Sequence, residues 1–153
     1  MHIVHLEDDG PLREILAAAL KAVEPSCELH QFKNSDETVT YVEQNTQKVD
    51  LFILDIRVPG SMDGLQVAQK IRELKCSGVI VITSAFRVPS RDLLDKLSCE
   101  WFPKPWHIME TTQRLLQLGR QREKTIEPPK PPVEQLPPPP EPPKPPVANL
   151  PPS

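Results

Sequence analysis

The sequence predicts an α/β fold: a doubly wound, five-stranded parallel sheet with helices on both faces. Three observations predict it. Five short apolar runs recur along the first 127 residues, and a stretch with helical spacing follows each of them. Two of the runs, Leu51-Phe52-Ile53-Leu54 and Val79-Ile80-Val81-Ile82, are continuously apolar, the pattern of strands buried on both faces of a parallel sheet. Polar residues gather at the ends of the runs rather than within them, and the carboxyl ends of parallel strands are where open α/β sheets bind ligands.

The elements follow in order. His2 to Leu6 is a first strand that hands over to Glu7-Asp8-Asp9. Gly10-Pro11 opens the first helix, since proline suits the first helical position; Leu12, Ile15, Leu16, Ala19, Leu20 and Val23 form its apolar stripe, and it ends near Glu24-Pro25. Cys27 to Phe32 alternates weakly as strand two. Ser35-Asp36-Glu37 starts helix two, with Ser35 as the capping side chain and two acids at the positive helix end. Strand three is Leu51 to Leu54, and helix three runs from about Leu65 with Ala68, Ile71 and Leu74 inward. Val79 to Ile82 is the most β-branched run and so belongs at the sheet's centre. Ser90 opens a short helix four through Leu97, Trp101-Phe102 is a brief strand five, and helix five carries Ile108, Leu115, Leu116 and Leu118, with Gly119 weakening or ending it. Five such units with short connections fit the flavodoxin-like strand order 2-1-3-4-5.

Composition divides the chain in two. Residues 128–153 hold 14 of the 20 prolines, leaving six in residues 1–127. The domain therefore spans 1–123, and 124–153 is a proline-rich disordered tail. Glu127 to Pro138 recurs fourteen residues later as Glu141 to Pro152, with ten of twelve positions identical. Such a segment extends as polyproline II, on the order of 80 Å at full stretch. It reads either as a solubilising extension or as two copies of a docking motif for a partner. A net charge of −3 and the lack of a basic helix in the tail argue against nucleic acid, and the net charge argues against a basic membrane patch. No run approaches the roughly 18 apolar residues of a membrane span, and the N-terminus does not read as a secretory signal. Cys27, Cys76 and Cys99 lie far apart with no Cys-x-x-Cys pair, which suits idle thiols in a reducing cytoplasm better than disulfides or zinc. His2, His5 and His107 share no ligand spacing and read as structural or exposed.

Four strand ends carry the chemistry: Asp8-Asp9 after strand one, Asp55 after strand three, Thr83 after strand four and Lys104 after strand five. In a parallel sheet these share one edge. Carboxylates crowded there repel one another unless a cation sits among them, and an all-oxygen set suits Mg²⁺. Lys104 offers a point charge for a phosphate and Thr83 a hydroxyl donor, so the set describes an acyl-phosphate site on a carboxylate nucleophile. Taken alone, Asp8-Asp9 also fits the cap of the first helix. A phosphatase with an aspartate nucleophile would need a second Asp two residues on, where Arg57 stands.

Asp8-Asp9, Asp55, Pro59, Asp63-Gly64, Thr83-Ser84-Ala85 and Lys104-Pro105 together resemble the signature of a response-regulator receiver domain, over about residues 1–123. The resemblance implies that Asp55 accepts a phosphoryl group from a histidine kinase or histidine phosphotransfer protein. It implies Mg²⁺ held by Asp9, Asp55 and the Arg57 backbone carbonyl, with Asp8 in support, and phosphoryl oxygens gripped by Thr83 and Lys104. Trp101, three residues before Lys104, takes the switch-aromatic position, where the family usually has Tyr or Phe. Thr83 and Trp101 would re-form the face of helix four, strand five and helix five for a downstream protein. A cis Lys104-Pro105 bond is also implied. Arg57 puts a cationic side chain beside the acceptor and is expected to alter the phosphoryl lifetime. The functional expectation is a cytoplasmic single-domain response regulator, an autocatalytic phospho-acceptor rather than a turnover enzyme, with autodephosphorylation left open. A phosphorelay carrier or phosphate sink, and an unphosphorylated scaffold, are the alternatives.

Overall fold

In the computed structural model the backbone is described for residues 1–126 and the side chains for residues 1–122. The proline-rich repeat falls outside the described residues. Five strands, β1 (His2–Leu6), β2 (Glu28–Phe32), β3 (Leu51–Asp55), β4 (Val79–Ser84) and β5 (Cys99–Pro103), form one sheet in the order β2-β1-β3-β4-β5. Every pairing is parallel. The helices are α1 (Gly10–Val23), α2 (Ser35–Gln44), α3 (Gly64–Glu73), α4 (Arg91–Leu97) and α5 (Ile108–Ile126).

Strand alternation splits the core into two layers. Val4, Leu6, Phe52, Leu54, Ile80 and Ile82 face α2, α3 and α4. Ile3, Leu51, Ile53, Val81 and Phe102 face α1 and α5 through Leu16, Leu20, Leu115 and Leu116. β3, and not the more β-branched β4, is the central strand, and it lies between the layers with all five residues buried, as its unbroken apolar run requires.

Three local expectations are corrected. Asn34, not Ser35, caps α2: its extended backbone lets its side chain accept from Glu37 N at 2.9 Å. Ser35 is already helical and fully buried, and its hydroxyl accepts from Met62 N at 3.1 Å, tying α2 to the loop after β3. β5 opens at Cys99, two residues before Trp101, because Ile80 pairs with Cys99. Gly119 neither ends nor breaks α5; a Cβ there would lie 2.6 Å from the Met1 sulfur, so the residue is small to let the N-terminus approach. The helix absorbs the glycine's cost of about 1 kcal/mol.

Two arginines close the amino-terminal edge of the sheet. Arg122 on α5 pairs with the buried Asp50 carboxylate and donates to Gln47 O at 3.0 Å and Ser77 Oγ at 3.1 Å. The second oxygen of Asp50 accepts from His2 N at 2.8 Å. Arg72 at the end of α3 donates to the carbonyls of Leu97, Cys76, Gly78 and Ser98, binding the ends of α3 and α4 to the entry of β4.

Candidate functional site: the carboxyl edge of the sheet

The site is a row. On the α1/α5 face each strand steps by two residues from core to edge: Ile3, His5, Glu7 on β1; Leu51, Ile53, Asp55 on β3; Val81, Thr83 on β4; Phe102, Lys104 from β5. Asp55 is the register partner of Thr83, and Ile56 N donates to Thr83 O at 3.1 Å. Asp55 and Thr83 are both buried, at 8% and 1% exposure, so neither carboxylate nor hydroxyl is freely solvated. The Lys104 ammonium lies 3.2 Å from Asp55 Oδ2 and also pairs with Glu7. Lys104 N donates to Ser84 O at 2.9 Å, and the Lys104–Pro105 peptide is cis.

The loop after β3 is pinned by backbone contacts. Gly64 N donates to Ile56 O at 2.9 Å, and a Cβ on Gly64 would lie 2.1 Å from the Asp55 carbonyl oxygen. Only glycine lets the start of α3 sit this close to the acceptor strand. Asp63 and Gln66 form a reciprocal capping box there, which fixes the helix end.

The acidic pair is shifted by one residue from expectation. Glu7, Asp8 and Asp55 place carboxylate oxygens within 4.8 Å of one another. Asp9 does not join them: its side chain caps α1 by accepting from Leu12 N at 3.2 Å. β1 ends at Leu6, so the alternation carries Glu7 inward while Asp9 has turned into the helix cap. The signal was present in the sequence: Glu7 stands two residues past His5 as Asp55 stands two past Ile53.

Electrostatics mark this cluster as wanting a cation. Burial, reinforced by the hydrogen bond and charge of Asp55, pushes the Glu7 carboxyl up to about 7, even though Lys104 pulls the other way. Burial opposes the charge on Lys104, but its hydrogen bond and attraction to Glu7 and the charge of Asp55 outweigh that and raise its pKa. Lys104 thus neutralises part of the charge on Glu7 and Asp55, and Asp8 adds a third carboxylate beside them. Mg²⁺–oxygen distances of about 2.0–2.1 Å set ligand oxygens roughly 3–4 Å apart, and the carboxylate oxygens here all lie within 4.8 Å of one another.

A cavity of about 330 Å³ opens over Glu7, Asp8, Asp9, Asp55 and Lys104, and Arg57, Phe86 and Arg87 also line it. Arg87, 3.7 Å from Asp63, was not singled out from the sequence, because an arginine after a strand reads as an ordinary surface charge. Trp101 packs on the α2/α3/α4 layer and its indole nitrogen donates to Ser84 Oγ at 3.0 Å. Ser84 in turn donates to Arg87 O. Trp101 is thereby bonded to the residue next to Thr83.

Comparison with known proteins agrees with this geometry. Residues 3–115 match the family model for the response regulator receiver domain. The transcriptional regulatory protein SrrA of Staphylococcus aureus is 28% identical over 124 residues, which is 80% of this chain and 49% of that protein. The chain thus spans about half the length of the curated relatives it matches. A CheY-like receiver domain protein from Methanospirillum hungatei superimposes with a TM-score of 0.69 at 16% identity, covering 81% of this chain and 97% of the other. The receiver domain of Saccharomyces cerevisiae Ssk1, solved with the histidine phosphotransfer protein Ypd1, gives 0.66 at 17% identity over 80% and 90%. These two likenesses speak for the fold. With the family model spanning most of the chain, this protein belongs to the receiver domains of two-component response regulators, a family in which phosphorylation on aspartate is general.

Proposed function

We propose that Asp55 accepts a phosphoryl group from a phosphohistidine and that the chain relays this state through protein contacts. The observation that carries the reading is the meeting of Asp55, Thr83 and Lys104 at one strand edge, with Lys104 3.2 Å from the acceptor oxygen. In the transfer an Asp55 oxygen forms a bond to phosphorus as the phosphorus–nitrogen bond of phosphohistidine breaks, and the electron pair leaves with the imidazole. Lys104 offsets the charge of the attacking carboxylate and then that of the phosphoryl oxygens, and the Thr83 hydroxyl donates to one of them. Glu7, Asp8 and Asp55, with the Arg57 carbonyl, would hold Mg²⁺, which supplies charge neutralisation and alignment of the phosphoryl group when bound. The residues present fit that role, with Glu7 in the place assigned to Asp9 by the sequence. Arg57 and Arg87, which line the cavity, govern how water reaches the acyl phosphate, so autodephosphorylation is part of the same site.

Donor and output surfaces lie on opposite sides of β5. An apolar cleft of about 580 Å³ lined by Pro11, Leu12, Ile15, Pro105, Trp106 and Ile108 adjoins Lys104. It suits a histidine kinase or phosphotransfer protein, the kind of partner with which the Ssk1 receiver was solved. On the other side, drawing Thr83 toward a phosphoryl oxygen disturbs Ser84 and frees the Trp101 indole, which reshapes the α4-β5-α5 face for a downstream protein. The test is incubation with Mg²⁺ and acetyl phosphate, followed by intact mass. A phosphoryl adduct on wild type that is absent in Asp55→Ala supports the reading. An unmodified wild type with Mg²⁺ bound overturns it in favour of a binding scaffold.

A further inference from the structure

We infer that His2, Glu28 and His30 form a second metal site, for a divalent transition cation of the zinc class, on the α2-covered face of β1 and β2. The three side chains come from facing strands: His2 is the register partner of Glu28, and His30 lies two residues further along the same face of β2. One ligand atom from each lies within 4.8 Å of the others. Two ring nitrogens and a carboxylate are ligands for zinc, nickel or copper, whereas Mg²⁺ prefers oxygen. The set therefore differs in chemistry, as well as in location, from the carboxylates around Asp55.

The ligand atoms stand within a few tenths of an ångström of the spacing a metal site needs. His30 Nε2 and Glu28 Oε1 are 2.9 Å apart, a hydrogen bond. His2 Nδ1 and Glu28 Oε2 are 3.8 Å apart, too far for one. Two ligands of one tetrahedral ion at about 2.0–2.2 Å stand roughly 3.3–3.5 Å apart, between these two values. The other nitrogen of His2 is held in place, since Nε2 lies 2.7 Å from the Tyr41 hydroxyl. In the tautomer that carries its proton on Nε2, His2 donates to Tyr41 and leaves the Nδ1 lone pair, on the Glu28 side, free to ligate, as in sites where an outer partner orients a metal-binding imidazole. Tyr41 also stacks at 4.7 Å from the His30 ring, so one α2 residue positions both imidazoles. Glu28 is exposed, so an ion can enter from solvent.

The test is calorimetric titration of the chelator-treated full chain with Zn²⁺ in excess Mg²⁺, together with thermal unfolding. Wild type is expected to bind one Zn²⁺ per chain and to gain Tm, and Asp55→Ala is expected to do the same. His30→Ala and Glu28→Gln should each weaken binding by more than tenfold with unchanged circular dichroism. Tyr41→Phe, which keeps the ring and loses only the hydroxyl, should weaken it by about tenfold. Absence of stoichiometric binding by wild type overturns the inference, and so does binding by His30→Ala and Glu28→Gln that matches wild type. Co²⁺ gives a separate readout: tetrahedral visible bands in wild type that are lost in His30→Ala support the site, and bands that persist refute it.

Discussion

The two edges of the sheet hold similar residues to opposite ends. At the amino-terminal edge, buried Asp50 meets Arg122 and the His2 amide, and Arg122 also reaches Gln47 and Ser77. Charge there is balanced one to one. At the carboxyl edge, Glu7 and Asp55 share Lys104 with Asp8 close by, and the Glu7 carboxyl is pushed up to about 7. Charges paired with each other hold the fold, even though the buried Arg122 Nε has no hydrogen-bond partner among the described residues; charges left over make a place for something else to bind. The same strands serve both ends, so the sheet carries its binding site on a base already fixed by the opposite edge.

The largest expected difference follows from removing one partner at the balanced edge. Arg122→Ala leaves a buried Asp50 carboxylate and is expected to cost about 3–5 kcal/mol in urea denaturation. At a temperature where that variant remains folded, its phosphorylation by acetyl phosphate should match wild type. If it instead unfolds like wild type and loses phosphorylation, the division between the two edges fails.

The next effect is pH dependence at the carboxyl edge, measured with a chelator present. His5 is buried beside Lys104 and Arg13, and burial first, then those charges, drives its pKa down to about 3 from 6.5. The unfolded chain then binds a proton that the folded chain refuses, so His5 contributes stability above about pH 6.5 that is lost as pH falls toward 3. Glu7 acts in the opposite sense: its raised pKa gives stability that is present below about pH 4.5 and is lost as pH rises through about 7. His5→Gln should flatten the acid limb of the stability curve, and Glu7→Gln the limb toward neutrality. A Glu7→Gln curve that superimposes on wild type would remove Glu7 from the charge balance.

Smaller effects sharpen the assignment of individual residues. Glu7→Gln should weaken Mg²⁺ binding by about tenfold, roughly 1.4 kcal/mol, while Asp9→Asn, which keeps a capping oxygen, should leave it near wild type. The reverse ranking would restore Asp9 to the metal site. Ser84→Ala removes the acceptor of the Trp101 indole and should cost about 1 kcal/mol. Its effect should appear at the α4-β5-α5 face and leave phosphorylation intact.

Most of this fold could be read from periodicity. The continuous runs at β3 and β4 and the helical stripes follow from which residues must be buried, and the strand order follows from the count of five βα units, whereas β-branching alone misplaces β4 at the centre. Asp55, Thr83 and Lys104 could be read because each stands alone at the end of a run. Glu7 could be chosen only by carrying the β1 alternation past Leu6, because three acids in succession offer three candidates and the choice depends on where β1 stops and which residue turns to cap α1. Asn34 and Ser35 pose the same one-residue ambiguity at α2. The arginine networks were invisible for another reason. Arg72 and Arg122 occupy helix positions that look solvated, and their carbonyl and carboxylate partners come together only when distant loops converge. The His2, Glu28 and His30 cluster shares that cause, since 26 residues separate His2 from Glu28.

Trp101 and Trp106 are the chain's only indoles, and they flank Lys104 on different sides of β5. Trp101 donates to Ser84 on the side of α4, whereas the buried Trp106 nitrogen has no hydrogen-bond partner among the described residues and lies in the apolar cleft beside α1. The molecule therefore carries two optical channels, one on the donor side and one on the output side. Replacing either indole with phenylalanine isolates the other. Time-resolved emission from the two single-tryptophan proteins would show whether news of a modified aspartate reaches the two surfaces together or one after the other.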